Sequence, residues 1–293
     1  MTLDLRALAL GLSFVFLWSS AFTSATIIVT YAPPFATLAL RFAISGLLAL
    51  AIGWAMGQRF TLDRSTIKAI IGFGILQNIV YLGFNFVAMQ SIEASVAVIV
   101  ASTLPLLVAL ASWVIFRERL RPLAVIGLIL GIAGVVLIMV PRVQAGIDPV
   151  GVMLCVVGVL ALTGATLLVR GASSSGNVMM VVGLQMLVGG AGLLVLSVFV
   201  ETWEVSFTWQ LVAAFTYTTL FPGLLATIIW FQLIARVGAT RAATFHFLNP
   251  FIGVSIAALV LGEVLVLRDL VGVVIIMVGI YAVQSARASA PRP

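Results

Sequence analysis

Long apolar stretches alternate with short polar connections along the whole chain. An α-helix of about 20 residues crosses the roughly 30 Å of hydrocarbon in a bilayer, so each apolar stretch predicts one transmembrane helix. The first stretch is too long for the core of an ordinary signal peptide, and we expect it to remain as a helix. The ten predicted helices run from Ala7 to Val29, Phe35 to Ala55, Ile67 to Met89, Ala94 to Phe116, Leu123 to Val140, Val150 to Val169, Val178 to Val200, Leu211 to Ile234, Ala242 to Leu261 and Leu270 to Gln284.

Five landmark residues of the first half recur at one fixed distance in the second half. Because five helices per repeat is an odd number, the second repeat must enter the membrane from the opposite side. We therefore predict an all-α integral membrane protein with ten transmembrane helices in two inverted five-helix repeats, residues 1–145 and 146–293. The recurring pairs, each 145 positions apart, are Pro105 with Pro250, Glu118 with Glu263, Leu120 with Leu265, Gly127 with Gly272, and Gly134 with Gly279.

Composition and charge support a membrane protein and set its expected orientation. Apolar residues are 63% of the 293 and charged residues are 8%, whereas soluble domains have about 45–50% and 25%. The net charge of +6 lies in the short connections, so we predict topology signals and no nucleic-acid partner. Strict alternation of the helices places every Lys and Arg except Arg41, Arg142 and Arg268 on one side of the membrane. The positive-inside rule then predicts that both termini lie in the cytoplasm.

The two repeats carry the same ordered motif, a Pro, a Glu thirteen positions later, and then two glycines. With Leu40, Arg41 and Phe42 in helix 2 and Trp18 in helix 1, this pattern resembles the EamA-type transporters of the drug/metabolite transporter superfamily over the whole chain. It is similar in particular to the exporters of aromatic and other neutral amino acids in that superfamily. The resemblance implies a central cavity lined mainly by helices 1, 3, 4, 6, 8 and 9, which opens alternately to either side. No residue string identifies an amino acid as the cargo.

Helix 3 carries the clearest polar stripe inside a predicted membrane span. Gln77, Tyr81 and Asn85 are spaced i, i+4 and i+8 and share one helical face, with Asn78 beside it. Two amides and a phenol can orient the ammonium and carboxylate of a zwitterion without a buried charge, which favours a cavity lining. The alternative is a set of interhelical hydrogen bonds in a packed bundle.

Helix 9 contains the single histidine, His246, followed by Asn249 and Pro250. Pro250 removes the backbone donor for the carbonyl of His246, and Pro105 does the same in helix 4, so freed carbonyls could receive a substrate ammonium. We interpret both prolines as kinks with a possible gating role. His246 is either a substrate or proton site or a hydrogen-bonded structural histidine.

Further candidates are hydroxyl and indole side chains in the helices that the resemblance assigns to the cavity. Small hydroxyls also let helices approach closely, and a tryptophan can face lipid, so packing is the alternative for each. These candidates are Trp18, Ser20, Ser102, Thr103, Thr163, Thr166 and Trp230.

Three charged residues are expected to be structural. Arg41 lies some six residues inside helix 2, from where its long side chain can snorkel to the outer surface. Glu118 and Glu263 lie at helix ends near arginines, and we expect local ion pairs there, with gating as the alternative.

The polar and charged residues inside the predicted helices favour transport of small neutral solutes. No Asp or Glu lies near the middle of a predicted span, which argues against an obligatory proton-carrying carboxylate and against a permanently cationic cargo. One His, one Cys and no mid-membrane carboxylate cannot build a His-rich metal site or an aspartyl dyad, so we predict no metal, no cofactor and no enzyme activity. An intramembrane enzyme with a serine–histidine pair is the least favoured alternative. We predict export of aromatic or other neutral amino acids by alternating access, as a uniporter or coupled to protons through His246, from a monomer or weak homodimer in the lipid bilayer. A multidrug or cation exporter is the alternative.

Overall fold

The computed structural model describes residues 4–59, 63–118, 120–168 and 177–288. Within these ranges the regular structure is helical, with ten helices long and apolar enough to cross a membrane, which confirms the predicted all-α membrane fold. The predicted spans agree to within a few residues, and the predicted end of the sixth at Val169 lies outside the described residues. The helices are α1 Leu5–Tyr31, α2 Pro34–Ala55, α3 Arg64–Ala88, α4 Ala94–Phe116, α5 Pro122–Gln144, α6 Pro149–Leu168, α7 Val178–Val200, α8 Trp209–Val237, α9 Ala242–Leu261 and α10 Leu267–Ala286.

Irregular segments recur at equivalent positions of the two repeats. The α3 helix contains a π-helical segment, Gly74–Leu82, and α8 contains another, Thr219–Leu225, whose start lies 145 positions later. The regular helix of α4 is broken at Thr103, and that of α9 is broken at Leu248, again 145 positions later. The repeat therefore extends to local backbone geometry.

Each of the two motif prolines stands at the start of a new helical segment. Pro105 follows Leu104 in the segment Leu104–Phe116, and Pro250 follows Asn249 in Asn249–Leu261. A proline is tolerated there because the first helical N–H groups have no intrahelical acceptor. The carbonyl of His246 accepts the backbone N–H of Asn249, so it has a donor despite Pro250.

One compact unit consists of the described parts of residues 1–23, 92–152 and 225–293. In this unit α5 and α10 pack with their backbones in contact. A Cβ on Gly127 would lie 2.6 Å from the carbonyl oxygen of Gly279, and a Cβ on Gly134 would lie 2.8 Å from that of Gly272. The four motif glycines therefore meet one another, and their missing side chains permit the close approach of the two helices.

The other compact unit consists of the described parts of residues 24–91 and 153–224. Here α2 and α7 form the closely packed pair, since a Cβ on Gly46 would lie 3.0 Å from the carbonyl oxygen of Gly183. Glu201, directly after α7, accepts the backbone N–H groups of Phe35 at 2.7 Å and Ala36 at 2.9 Å. This carboxylate supplies acceptors for two orphan donors in the first turn of α2.

Each compact unit draws helices from both halves of the sequence. The closest pairs, α5 with α10 and α2 with α7, are each formed by equivalent helices of the two repeats. The division of the chain at residue 145 describes the repeats, and it stays a prediction for domain boundaries. Three of the cations on which the predicted orientation depends, Arg119, Arg170 and Arg292, lie outside the described residues.

Candidate functional site

Three aromatic rings surround the single histidine in the first compact unit. His246 lies in a 3₁₀ turn, Phe245–Leu248, and its ring centroid is 5.3 Å from that of Phe14, 5.8 Å from that of Trp18 and 5.2 Å from that of Trp230. Phe14 and Trp230 stack at 4.5 Å with their planes 29° apart. We call these four residues the aromatic cluster. It unites side chains of α1, α8 and α9, which are far apart in the sequence.

Asn249 fixes the orientation of the histidine in this cluster. Its side-chain amide Nδ2 lies 2.8 Å from Nδ1 of His246. In the orientation that the structure gives this amide, Nδ2 donates to Nδ1, and a neutral imidazole then carries its proton on Nε2. The hydroxyl of Ser19 donates to the backbone carbonyl of Asn249 at 3.4 Å, which ties α1 to the same turn.

The side-chain oxygen of Asn249 is an unused acceptor. The residue is 1% exposed, and Oδ1 has no hydrogen-bond partner among the described residues. A buried acceptor without a donor costs free energy, so such an atom is a place where a ligand donor gains binding energy. Aromatic faces and a carbonyl oxygen together suit an ammonium group or a flat apolar side chain.

Sequence reasoning found three members of the aromatic cluster and missed Phe14. Phe14 is four residues before Trp18, so both lie on one face of α1, and this spacing was a usable signal. Phe14 is 6% exposed, while the rings of Trp18, Trp230 and His246 are half-buried. The two tryptophans contact other aromatic rings in the unit and also pack against its buried apolar residues, and their role in binding stays a prediction.

The candidate hydroxyls mostly bond to their own helices. Ser20 donates to Leu17, Ser102 to Val98, Thr103 to Val100, Thr163 to Val159 and Thr166 to Leu162, each through the hydroxyl to a backbone carbonyl at 2.6 to 2.9 Å. These bonds are typical of serine and threonine inside helices and match the packing interpretation.

The polar stripe of α3 lies in the second compact unit. Asn78 donates through Nδ2 to the carbonyl of Gln185 in α7 at 2.8 Å. Asn85 donates to the carbonyl of Tyr81 at 2.8 Å and lies 3.5 Å from the sulfur of Cys155 in α6. These contacts agree with the interhelical hydrogen-bond interpretation for the two asparagines. Gln77 is half-buried and makes no hydrogen bond to the described residues.

Charged residues near the helix ends behave differently from the sequence expectation. Glu263 accepts the backbone N–H groups of Ala94 at 2.7 Å and Ser95 at 3.0 Å, where an ion pair was expected. Arg142 instead bridges two acids, Glu93 and the buried Asp269, with 3.0 Å to Oδ2 of Asp269. Among the described residues, no group of three His, Cys, Asp or Glu side chains could hold a metal ion.

Comparison with known proteins identifies the family. The model of the EamA-like transporter family matches residues 5–140 and again residues 149–284. The uncharacterized transporter YvbV of Bacillus subtilis is 24% identical over 279 residues, which cover 94% of this chain and 91% of that protein. The aromatic amino acid exporter YddG of Ancylobacter novellus is 34% identical over 137 residues, 46% of this chain and 47% of that exporter.

A solved structure shows the same fold. The alignment with this crystal structure covers 97% of the present chain and 99% of the other chain, with a TM-score of 0.70 and 21% sequence identity. The family model matches once in each repeat, and the two matches together span most of the sequence. The chain therefore belongs to the EamA-like transporter family, as a multi-pass membrane transporter and not an enzyme.

Proposed function

We propose that this transporter exports small neutral solutes, above all aromatic and other neutral amino acids, by alternating access through a central cavity. The observation that carries the proposal is the aromatic cluster, in which Phe14, Trp18 and Trp230 surround His246. The partial similarity to an aromatic amino acid exporter supports the same class of cargo.

The cluster has the chemistry to hold an amino acid with an aromatic side chain. Stacking on the indole of Trp18 or Trp230 contributes about 0.5–1.5 kcal/mol beyond the burial of area. An ammonium group gains a further contact at Oδ1 of Asn249 and at the aromatic faces. The proton on Nε2 of His246 is the donor for a substrate oxygen.

We propose that the remaining candidate residues line the cavity. They are Ser20, Gln77, Asn78, Tyr81, Asn85, Ser102, Thr103, Thr163 and Thr166, with Pro105 and Pro250 as gating positions. Among them, Gln77 carries most weight, because its amide has no hydrogen-bond partner in the described part of the chain. We also propose an inner-membrane location with both termini in the cytoplasm, and a monomer or weak homodimer.

Export of cationic drugs is the second candidate, and one observation favours it. Aromatic faces together with a carbonyl oxygen also form a cage for quaternary or primary ammonium groups. The described ring contacts and hydrogen bonds of the aromatic cluster include no carboxylate. A lone cation in the membrane gains from a carboxylate partner, so the neutral amino acid is the better cargo.

Transport by purified protein in proteoliposomes tests the proposal. We expect saturable uptake of labelled L-phenylalanine, and competition by unlabelled neutral amino acids but not by tetraphenylphosphonium. A stimulation by a pH gradient that disappears in His246→Ala identifies proton coupling, while an equal rate without the gradient identifies uniport. Absence of amino-acid flux together with counterflow of a quaternary ammonium dye replaces the proposal with the second candidate.

A further inference from the structure

A buried arginine in α2 has no acceptor for its guanidinium group among the described residues. Arg41 is 7% exposed, and it makes no hydrogen bond or ion pair to any described residue. Its Nε is fully enclosed and unpartnered. The guanidinium carbon lies 5.3 Å from the ring centroid of the neighbouring Phe42, which is a cation–π contact and supplies no acceptor.

At the depth of Arg41 in the helix, a cation without a partner costs free energy. The residue is seven positions after Pro34, the first residue of α2, which is about 10 Å along the helix axis. An arginine at such a depth normally pairs with an acid or a carbonyl, or extends its side chain to the interface. The structure buries the side chain inside the second compact unit, which contradicts the expected snorkelling.

On the side of α8, the guanidinium lies next to Gly223 and close to the hydroxyl of Ser45. A Cβ built on Gly223 would lie 3.4 Å from Nη2 of Arg41 and 3.3 Å from Oγ of Ser45. The hydroxyl of Ser45 donates to the carbonyl of Thr219 at 3.2 Å, so this carbonyl already has a donor. Nη2 of Arg41 thus lies next to Gly223 in the π-helical segment of α8, where a Cβ would come into ordinary van der Waals contact with the cation.

We propose that Arg41 forms a carboxylate-binding site within this unit, and that the solutes carried by the transporter bear a free carboxylate. A planar guanidinium binds a carboxylate through two parallel hydrogen bonds, a geometry that chloride lacks. One cation is neutralised by one monoanion, whereas a phosphate would leave excess negative charge in a low-dielectric site. The second statement rests on the proposed function and narrows its cargo from neutral solutes to amino acids and related carboxylates.

Ligand-dependent thermal unfolding of the purified protein tests the site without requiring transport. The probes are 3-phenylpropionate, which has a carboxylate and no ammonium, L-phenylalaninamide, which has an ammonium and no carboxylate, and sodium chloride. The variants are Arg41→Met and Arg41→Lys, with Arg59→Met as the matched control, since Arg59 is an exposed arginine of the same unit.

We expect 3-phenylpropionate to raise the unfolding temperature of the native chain and of Arg59→Met in a saturable manner. Arg41→Met should bind it about 10- to 100-fold more weakly, the loss typical of a charge-assisted hydrogen bond, and Arg41→Lys should bind with intermediate affinity. Without ligand, Arg41→Met should unfold at the same or a higher temperature, because it removes an unpaired buried charge.

Several results would overturn the site. One is equal binding of 3-phenylpropionate by the native chain and Arg41→Met. Another is a rise of the unfolding temperature with chloride as large as that with 3-phenylpropionate. The third is an unfolding temperature of ligand-free Arg41→Met below that of the native chain. If Arg41→Met fails to fold, Arg41→Lys gives the same test, because it keeps the charge but loses the two parallel hydrogen bonds, and 3-phenylpropionate binding equal to that of the native chain would overturn the site.

Measurements of amino-acid uptake distinguish failure of the carboxylate site from failure of the proposed function. Amino-acid uptake that persists unchanged in Arg41→Met contradicts the carboxylate site and leaves amino-acid export standing. Arg41-dependent binding of 3-phenylpropionate without any amino-acid flux supports the site and removes amino acids as cargo.

Discussion

The carboxylate of Glu263 accepts the backbone N–H of Ala94 at 2.7 Å, although the two residues are 169 positions apart. Glu201 and Phe35 show the same relationship in the other compact unit, with the same distance of 2.7 Å. In both cases an acid just beyond one helix binds the first turn of another. A negative charge at a helix N-terminus is favourable because it compensates the helix dipole and the orphan N–H groups.

Glu263→Gln should destabilise the protein because the amide is a weaker acceptor than the carboxylate. Glutamine keeps one acceptor oxygen and places an NH₂ donor against the other backbone N–H, so the loss of one of the two hydrogen bonds to Ala94 and Ser95 should cost about 1–3 kcal/mol. The measurement is the thermal unfolding temperature in detergent, with Glu204→Gln as control, since Glu204 is exposed. Equal unfolding temperatures for the two variants would contradict a stabilising role of this contact.

Gly279→Ala should separate α5 from α10. The added Cβ would lie 2.6 Å from the backbone nitrogen of Gly131 and 2.7 Å from the carbonyl oxygen of Gly127, and neither backbone can yield without moving a helix. The matched control is Gly164→Ala, where the Cβ meets only the side chain of Leu76 at 3.6 Å. Alanine favours a helix over glycine by about 1 kcal/mol, so the control should be neutral or stabilising. A Gly279→Ala protein as thermostable as this control would exclude tight backbone contact.

Arg142→Gln should be strongly destabilising because it leaves two acids without their shared cation. The side chain of Asp269 is 3% exposed and that of Arg142 is 13% exposed. Removing one partner of a buried pair typically costs about 3–5 kcal/mol. The comparison is Arg268→Gln at an exposed position, measured by thermal unfolding. A second change, Asp269→Asn, should partly restore the Arg142→Gln variant, and the absence of any restoration would argue against the pair.

The N-terminal end of α1 should open at acidic pH. The hydrogen bond from Arg236 holds the pKa of Asp4 below its usual range, and Asp4 also accepts the backbone N–H of Ala7. A lowered pKa in the folded state means that the contact contributes above the unfolded pKa and is lost as the pH falls through the folded value. Amide exchange at Ala7 should therefore lose protection below about pH 4. The change should be absent in Asp4→Asn, and an equal pH dependence in that variant would assign the opening to another group.

The membrane fold was predictable because bilayer thickness and helix rise together fix the length of each apolar segment. The 145-residue repeat likewise revealed which glycines and prolines are equivalent, but it could not show that Gly127 contacts Gly279. That contact depends on how two equivalent helices cross. The π-helical segment of α3 was not visible in the sequence, whereas Pro222 inside that of α8 was a usable signal, because a proline in a helix interior removes a backbone donor.

The candidate site was only partly predictable. The rarity of His246 and the depth of Trp18 and Trp230 pointed to three members of the aromatic cluster, while Phe14 was one of 18 phenylalanines and carried no distinguishing signal by composition. The sequence also could not show that Arg41 has no acceptor among the described residues. Pairing depends on which acids the fold brings near, and the sequence alone left snorkelling as the simpler expectation.

Uptake of labelled L-phenylalanine by Trp230→Ala proteoliposomes shows whether the aromatic cluster binds the transported solute. The control is Trp54→Ala, which removes the same indole from a position that is 80% exposed in α2. We expect saturable uptake in the native chain and in the Trp54 variant, with at least a tenfold lower uptake efficiency in the Trp230 variant, as follows from the loss of about 1.4 kcal/mol of stacking. Equal uptake by the two variants would contradict a substrate site at the aromatic cluster.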